Sequence, residues 1–311
     1  MLTSLDSRPI VVAGAHGQSL FLRAEKIPEE GETVLGSGFE EPEDGGKATN
    51  QAVAIAKLGA PVRFVSVVGT DERGRRWRSI LAGYGIDIRY LQEADGATDV
   101  GFVILPPSGI PAIVSSCELS LLLDEELVMR CADAYGDASV VVCQLEAPPS
   151  CALGSFRLAR AAGATTILNP APAQRLDPEL VDLVDLLVPN EHEAAVLDGT
   201  TADAGGHAER LCERYGCAVV VTAGASGCYC ADPNGLRLHV PAPAVEANDT
   251  TGAGDAFVGA IAASLRDEHD LAAAATFATR AASLSVARPG TMPSYPTRSE
   301  LALAADTSVA T

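Results

Sequence analysis

Short runs of β-branched and other apolar residues recur along the chain at residues 10–13, 62–68, 140–143, 165–168, 186–188 and 219–222. Between them lie alanine-rich stretches of helical character at 50–58, 75–84, 124–134, 152–162, 190–197 and 204–215. Strands separated by helices of about ten residues predict parallel β-α-β units, and hence an α/β fold: a doubly wound, mostly parallel sheet with helices on both faces. Ligands of such a sheet sit at the carboxyl ends of its strands. Two stretches break the rhythm, 18–43 and 98–117. The second reads as two strands, 100–105 and 112–116, around the turn Pro106-Pro107-Ser108-Gly109, so a small β lid is expected beside the sheet. The expected organisation is a core of residues 1–16, 44–97 and 118–311 with inserted lid segments 17–43 and 98–117.

Charge narrows the partners. Lys and Arg number 22 against 41 Asp and Glu, a net −19, which argues against nucleic acid and against anionic membrane surfaces. The arginines Arg73, Arg75, Arg76 and Arg78 around Trp77 accordingly read as a solvated helix face. With 47% hydrophobic and 20% charged residues the chain can bury a sizeable core. No apolar stretch approaches the roughly 20 residues that span a bilayer, and the first residues lack a basic segment followed by a long apolar one, so a cytoplasmic address is expected. The eight cysteines contain no Cys-x-x-Cys pair and several sit in apolar runs, as buried reduced thiols would. The five histidines show no zinc-hydrolase spacing, so any metal is expected to arrive with a substrate.

Two segments carry chemistry. Asp249-Thr250-Thr251-Gly252-Ala253-Gly254-Asp255 runs from a glycine-rich turn into an amphipathic helix. Small residues let the backbone approach a ligand, and the first helical N–H groups with the positive dipole end form an anion site. Asp255, in the first helical turn, could take a proton from an alcohol facing that site; it could equally be a first-turn carboxylate complementing the dipole. Asp44-Gly45-Gly46-Lys47-Ala48-Thr49-Asn50-Gln51-Ala52 again places a glycine pair before a helix, with Lys47 and Asn50 as donors; it lacks the Walker A spacing.

Together these segments resemble the two signatures of the ribokinase-like (pfkB) carbohydrate kinases. Gln144-Leu145-Glu146, Leu168-Asn169-Pro170-Ala171-Pro172-Ala173, Pro189-Asn190-Glu191-His192-Glu193, Thr222-Ala223-Gly224-Ala225-Ser226-Gly227 and Arg288-Pro289-Gly290-Thr291-Met292-Pro293-Ser294 are similar to segments of that family in the same order, over roughly residues 9–300. The resemblance implies an ATP-dependent kinase that phosphorylates a primary hydroxyl of a small sugar or polyol. Asp255 would be the base, and the N–H groups of Gly252, Ala253 and Gly254 the anion hole. Gly45, Gly46, Lys47, Asn50 and Glu146 would contact the sugar, and Thr222, Gly224, Ser226, Gly227, Gly254 and Thr279 the nucleotide. Asn190 and Glu193 match an Asn-x-x-Glu motif that orders magnesium through water, although they fit a helix N-cap and its capping box equally well. Asp249, Thr251, Ser285, Arg288, Gly290 and Ser294 correspond to a potassium site, and the lid implies a homodimer.

The chain departs from that pattern after its first strand. Where ribokinases present Asn-x-Asp to grip sugar hydroxyls, the segment here is Gly14-Ala15-His16-Gly17-Gln18-Ser19. The departure weakens ribose as the substrate and leaves His16, Gln18 and Ser19 as replacement donors. A nucleoside kinase on the same fold is the alternative, though Phe21, Phe39 and Phe102 offer few aromatics for a base. A sugar sensor without turnover would have a damaged anion hole, and the segment 252–255 is intact.

Overall fold

The computed structural model describes residues 7–108, 112–267 and 269–307; Gly109 of the expected lid turn lies outside them. In chain order the chain forms β1 (Ile10–Ala13), β2 (Gln18–Ala24), β3 (Gly36–Glu40), α1 (Gly46–Lys57), β4 (Val62–Gly69), α2 (Glu72–Gly83), β5 (Leu91–Ala94), β6 (Val100–Leu105) and β7 (Ala112–Ser115). There follow α3 (Glu125–Arg130), β8 (Val140–Cys143), α4 (Pro149–Ala162), β9 (Thr165–Leu168), α5 (Pro178–Val181), β10 (Leu186–Leu187), α6 (Glu191–Asp198) and α7 (Ala204–Tyr215). The remainder is β11 (Ala218–Thr222), β12 (Cys228–Ala231), β13 (Arg237–Val240), α8 (Ala253–Arg266), α9 (Leu271–Val286) and α10 (Arg298–Thr307).

Nine strands form one sheet in the order β13-β12-β11-β10-β9-β8-β1-β4-β5. It is parallel from β5 to β11, and the hairpin strands β12 and β13 add an antiparallel edge. The expected α/β doubly wound sheet is therefore what the chain builds. Sequence periodicity located six of the nine strands. It passed over β5 and β13, whose Gln92, Glu93, Arg237 and His239 interrupt any apolar run, and β12, Cys228–Ala231, which is short and has no β-branched residue.

Alternate residues of the central strands enter two cores. Ile10 and Val12 of β1, with Val140 and Val142 of β8, face one layer; Val11, Ala13, Val141 and Cys143 face the other. All eight are fully buried, which is why these strands read as unbroken apolar runs instead of alternating ones. All eight thiols are unpaired, seven of them buried and Cys117 exposed. No helix among the described residues is long and apolar enough to cross a membrane.

The lid is a separate four-stranded sheet, β3-β2-β6-β7. Strands β2 and β6 run parallel in its centre, with β3 and β7 antiparallel at the edges. Phe39, Phe102, Ile113 and Val114 on its strands are exposed.

The arginine-rich helix α2 is paired rather than simply solvated. Arg76 meets Glu41, Arg78 meets Glu93 and the Leu91 carbonyl, and Arg75 donates to the Thr70 carbonyl. Trp77 points inward, 1% exposed. Its Nε1–H donates to Gln18 Oε1 at 3.0 Å, and its ring meets the edge of His16 at 4.8 Å between centroids.

That packing accounts for His16. The ring is buried and bonded through Nδ1 to Thr49 Oγ1 at 2.8 Å. Burial lowers its pKa to about 4, with Asp99 opposing only in part. An unfolded histidine titrates near about 6.5, so the unfolded chain takes up the proton first. Stability is therefore full above about pH 6.5 and falls as the pH drops towards 4. Melting temperatures at pH 7 and pH 5 should differ less in His16→Asn than in the parent chain; an unchanged difference would show that other groups control acid unfolding.

Candidate functional site

The site forms where α1 and α8 begin, at the carboxyl ends of the parallel strands. Gly252 caps α8 in a left-handed conformation, φ 73°, which turns the chain sharply into the helix. A β-carbon on it would lie 2.4 Å from Thr291 Cγ2 and 2.6 Å from Tyr295 Oη, so only glycine fits. The first N–H groups of a helix lack intrahelical partners by position. Here Ala253 N–H turns back to the Thr250 carbonyl at 3.3 Å, and Gly254 opens onto two cavities.

The larger cavity, about 830 Å³, is walled by the turn after β11, by residues 242–245, and by Phe257, Ala282 and Val286 of α8 and α9. The smaller, about 190 Å³, is lined by Lys47, Asn169, Glu193, Gly252 and Asp255 among others. Asn190, Thr222 and Gly254 line both, so the two volumes adjoin there.

Asp255 is 8% exposed. Its Oδ2 accepts from Asn50 Nδ2 at 3.2 Å and its Oδ1 from Gln51 Nε2 at 2.9 Å. Burial raises its pKa above the ordinary carboxylate value, while Lys47 and the two amides hold the rise back. Burial alone would lower the Lys47 ammonium, but Asp255, Glu146, Glu193 and Asp44 surround it and the balance is upward. Glu146 is exposed, lines neither cavity, and accepts from Lys47 N–H at 3.0 Å. Loss of hydration pushes its carboxyl up to about 7, Lys47 opposing.

Several residues expected to touch the sugar are bonded elsewhere. Gln18 is buried, its Oε1 taken by Trp77 and by Arg73 at 3.3 Å, and His16 packs on Trp77; neither lines either cavity. Both are thus engaged in the packing between β1, α1 and α2, with His16 Nε2 buried and unpartnered. Asn50 gives one amide hydrogen to Asp44 Oδ1 and the other to Asp255, and accepts from Gly45 N–H, so it orients other groups. Ser19 N–H and Gly17 N–H bond the Asp44 and Gly45 carbonyls, tying the first loop to the glycine pair. Gly46 takes φ 80°, and a β-carbon there would meet Glu146 Oε2 at 3.4 Å.

Asn190 and Glu193 form the full capping box of α6 and also line the smaller cavity. Thr222, Gly224, Gly227 and Thr279 line the larger cavity. Ser226 does not; its carbonyl accepts from His239 Nε2 at 2.7 Å, and Ala225 lines the wall instead. The loops 249–251 and 285–294 meet through Asp249, whose carboxylate accepts from Thr251 and Gly290 N–H. Ser285 and Ser294 hydroxyls are turned to the Ala282 and Thr291 carbonyls, and the Arg288 side chain reaches Glu300 and the Ser294 carbonyl. Among the described residues no group of three or more His, Cys, Asp or Glu is placed to hold a metal ion.

Sequence reading missed Gln51, Asn169 and the apolar wall 242–245. Gln51 carried a signal, a polar residue on the apolar side of an alanine-rich helix. The wall carried none, since it comes from an irregular segment that only the fold brings to α9.

The fold and this paired cavity are those of a nucleotide-dependent small-molecule kinase of the ribokinase-like class. Residues 10–298 match the model of the pfkB family carbohydrate kinases. The chain is 37% identical to a ribokinase of Mus musculus, covering 96% of this chain and 95% of that one. It is 34% identical to a ribokinase of Staphylococcus aureus, covering 94% and 98%. The structure of Arabidopsis thaliana ribokinase complexed with ribose and ATP superposes with a TM-score of 0.89 at 28% identity, over 96% of this chain and 98% of that one. The chain belongs to the pfkB family and is an ATP-dependent carbohydrate kinase.

Gly252→Ala should cost about 1–2 kcal/mol from its left-handed backbone alone, and more from the contacts with Thr291 and Tyr295. Gly254→Ala, whose β-carbon meets no protein atom within 4 Å, should melt with the parent chain. Equal melting temperatures for the two variants would contradict this account of the turn.

Proposed function

We propose that the protein transfers the γ-phosphoryl group of ATP to a primary hydroxyl of ribose or a closely related small sugar, with Asp255 as general base. The observation that carries the reading is the placement of Asp255: a buried carboxylate of raised pKa on the smaller cavity, one residue from the Gly254 backbone that opens on both cavities. Ribose as acceptor is supported by the family and by relatives named ribokinase.

ATP fits the larger cavity with its base against the apolar wall near Thr279, its ribose and phosphates running past Gly224 and Gly227 towards Asn190 and Gly254. The sugar lies in the smaller cavity, between Asp255, Lys47 and Asn169. In the reaction the hydroxyl proton passes to Asp255 as the oxygen attacks the phosphorus. The Gly252 and Gly254 N–H groups and the helix dipole stabilise the charge on the transferred group. Lys47, held protonated by its carboxylate neighbours, adds a positive charge at the junction.

Magnesium, carried with the nucleotide, neutralises phosphate charge, and Asn190 and Glu193 would hold it through water; Glu193 lies on the cavity with one carboxylate oxygen outside its cap bond. The loops joined by Asp249 carry hydroxyl, carboxylate and carbonyl oxygens on Asp249, Thr251, Ser285, Arg288, Gly290 and Ser294. That donor set suits a large monovalent cation such as potassium, which would stiffen the turn at Gly252. The exposed apolar lid strands support a homodimer.

ADP release from Mg-ATP with potassium present, across pentoses, hexoses, polyols and nucleosides, tests the assignment. Turnover should be highest with ribose or a near relative, and Asp255→Asn should lose about 10²- to 10⁴-fold in kcat while still binding ATP. A preference for nucleosides would overturn the sugar assignment, and an active Asp255→Asn the base. Light scattering at micromolar concentration should give a dimer. Replacing the cross-strand partners Phe102 and Val114 with aspartate should give a monomer; a dimer that survives this change does not use the lid.

A further inference from the structure

Behind Asp255 lies a chain of buried amides with only one consistent set of orientations. The Val188 carbonyl can only accept, so Asn169 must turn its Nδ2 to it, at 2.9 Å. Asn169 Oδ1 then faces Gln51 at 3.1 Å, which requires Gln51 to present its Nε2 there. The second hydrogen on the same nitrogen points to Asp255 Oδ1 at 2.9 Å. Gln51 Oε1 is left to face Gln144, whose Nε2 donates to it. Each of these side chains is at most 8% exposed. Gln144 Oε1, at the far end, is buried without a partner, and a β-carbon on Gly14 would lie 2.2 Å from it, so the network ends against the bare backbone of the first strand's loop.

We propose that Gln51 is a positioning residue for Asp255: locked between Gln144 and Asn169, its amide fixes one orientation of the carboxylate and keeps it charged until the acceptor hydroxyl arrives. The proposal rests on the reading of Asp255 as the base. A carboxylate in a dry pocket tends to protonate or to rotate, and either would cost the base its function. Asn50 and Gln51 prevent both by donating to different oxygens, so the carboxylate plane is defined by two neighbouring residues of one rigid helix. Asn50 is held by Asp44 and Gly45 near the opening, whereas Gln51, itself fully buried, is held between Gln144 in the interior and Asn169 on the wall of the smaller cavity. The titratable groups around the carboxylate are Lys47, Asp44, Glu146 and the Tyr295 phenol, with Glu193 across the smaller cavity. None of them replaces the Gln51 hydrogen bond at Oδ1.

Gln51→Met keeps the length of the side chain and removes its donors. Loss of a hydrogen bond to the ionised form raises the pKa of the base, so the acid limb of kcat/KM against pH should move upward by about one unit. The kcat value at the plateau should fall about tenfold as the carboxylate loses its fixed plane, with KM for ATP unchanged. Gln144→Met touches no group on either cavity and should shift the same limb upward by about half a unit, by releasing Gln51 from one side; it decides the matter alone if Gln51→Met does not fold. An acid limb that stays in place in the folded variants, whatever happens to kcat, overturns the proposal. Asp255→Asn, assayed in parallel, separates the two readings. If it remains active the base assignment fails. If it is silent while the Gln51 and Gln144 variants keep the parental limb, only the positioning role fails.

Discussion

Helices α1 and α8 meet almost backbone to backbone at Gly259, where a β-carbon would lie 2.6 Å from Ala54 Cβ and 3.1 Å from the Gln51 carbonyl oxygen. This close approach brings Asn50 and Gln51 within hydrogen-bond reach of Asp255, more than two hundred positions later in the sequence. Small residues on the facing turns permit it, and the same two helices rest on β1 and β8, whose residues are fully buried. A wider contact would leave the carboxylate buried without donors, an arrangement whose cost would be relieved by protonation. Packing and chemistry are therefore one constraint at this point of the molecule.

The cleft collects acids around one base of the opposite sign. Asp255, Glu146, Glu193 and Asp44 all act on Lys47, in a chain already carrying −19. In the proposed complex a polyanionic nucleotide would be held there by the N-terminal turn of α8, by Lys47 and by its own magnesium rather than by the general surface field. The elevated carboxyls of Asp255 and Glu146 follow from the same crowding and burial. Groups of that kind concentrate where protons are moved.

The first loop shows how a departure in sequence is absorbed by the fold. Gly17 and Ser19 leave no carboxylate after β1, and His16 and Gln18 turn towards Trp77. A buried acid nevertheless stands beside this loop: the Asp44 carbonyl accepts from Ser19 N–H, and its carboxylate accepts from Asn50, Gly46 and Thr291. Polar demand at the glycine pair is thus met from the approach to α1 instead of from the first strand.

Local pattern was sufficient for the class of fold, for the position of α8 and its glycine-rich entry, and for the two family signatures. Short, β-branched apolar runs between helical stretches read as strands buried on both faces, and a small-residue turn before an amphipathic helix is a local fact. Strands β5 and β13 stayed hidden because polar residues interrupt them, and β12 because its four residues include no β-branched one. Which of the candidate polar residues face the cavities was also decided by tertiary structure. His16 and Gln18 look like donors in sequence but pack against Thr49 and Trp77 in space, and Ser226 lines neither cavity, while Gln51 and Asn169 reach Asp255 and the cavity only once the sheet sets their register. A side chain's type is written in the sequence, but its hydrogen-bond partner is chosen by whatever long-range packing brings within about 3 Å.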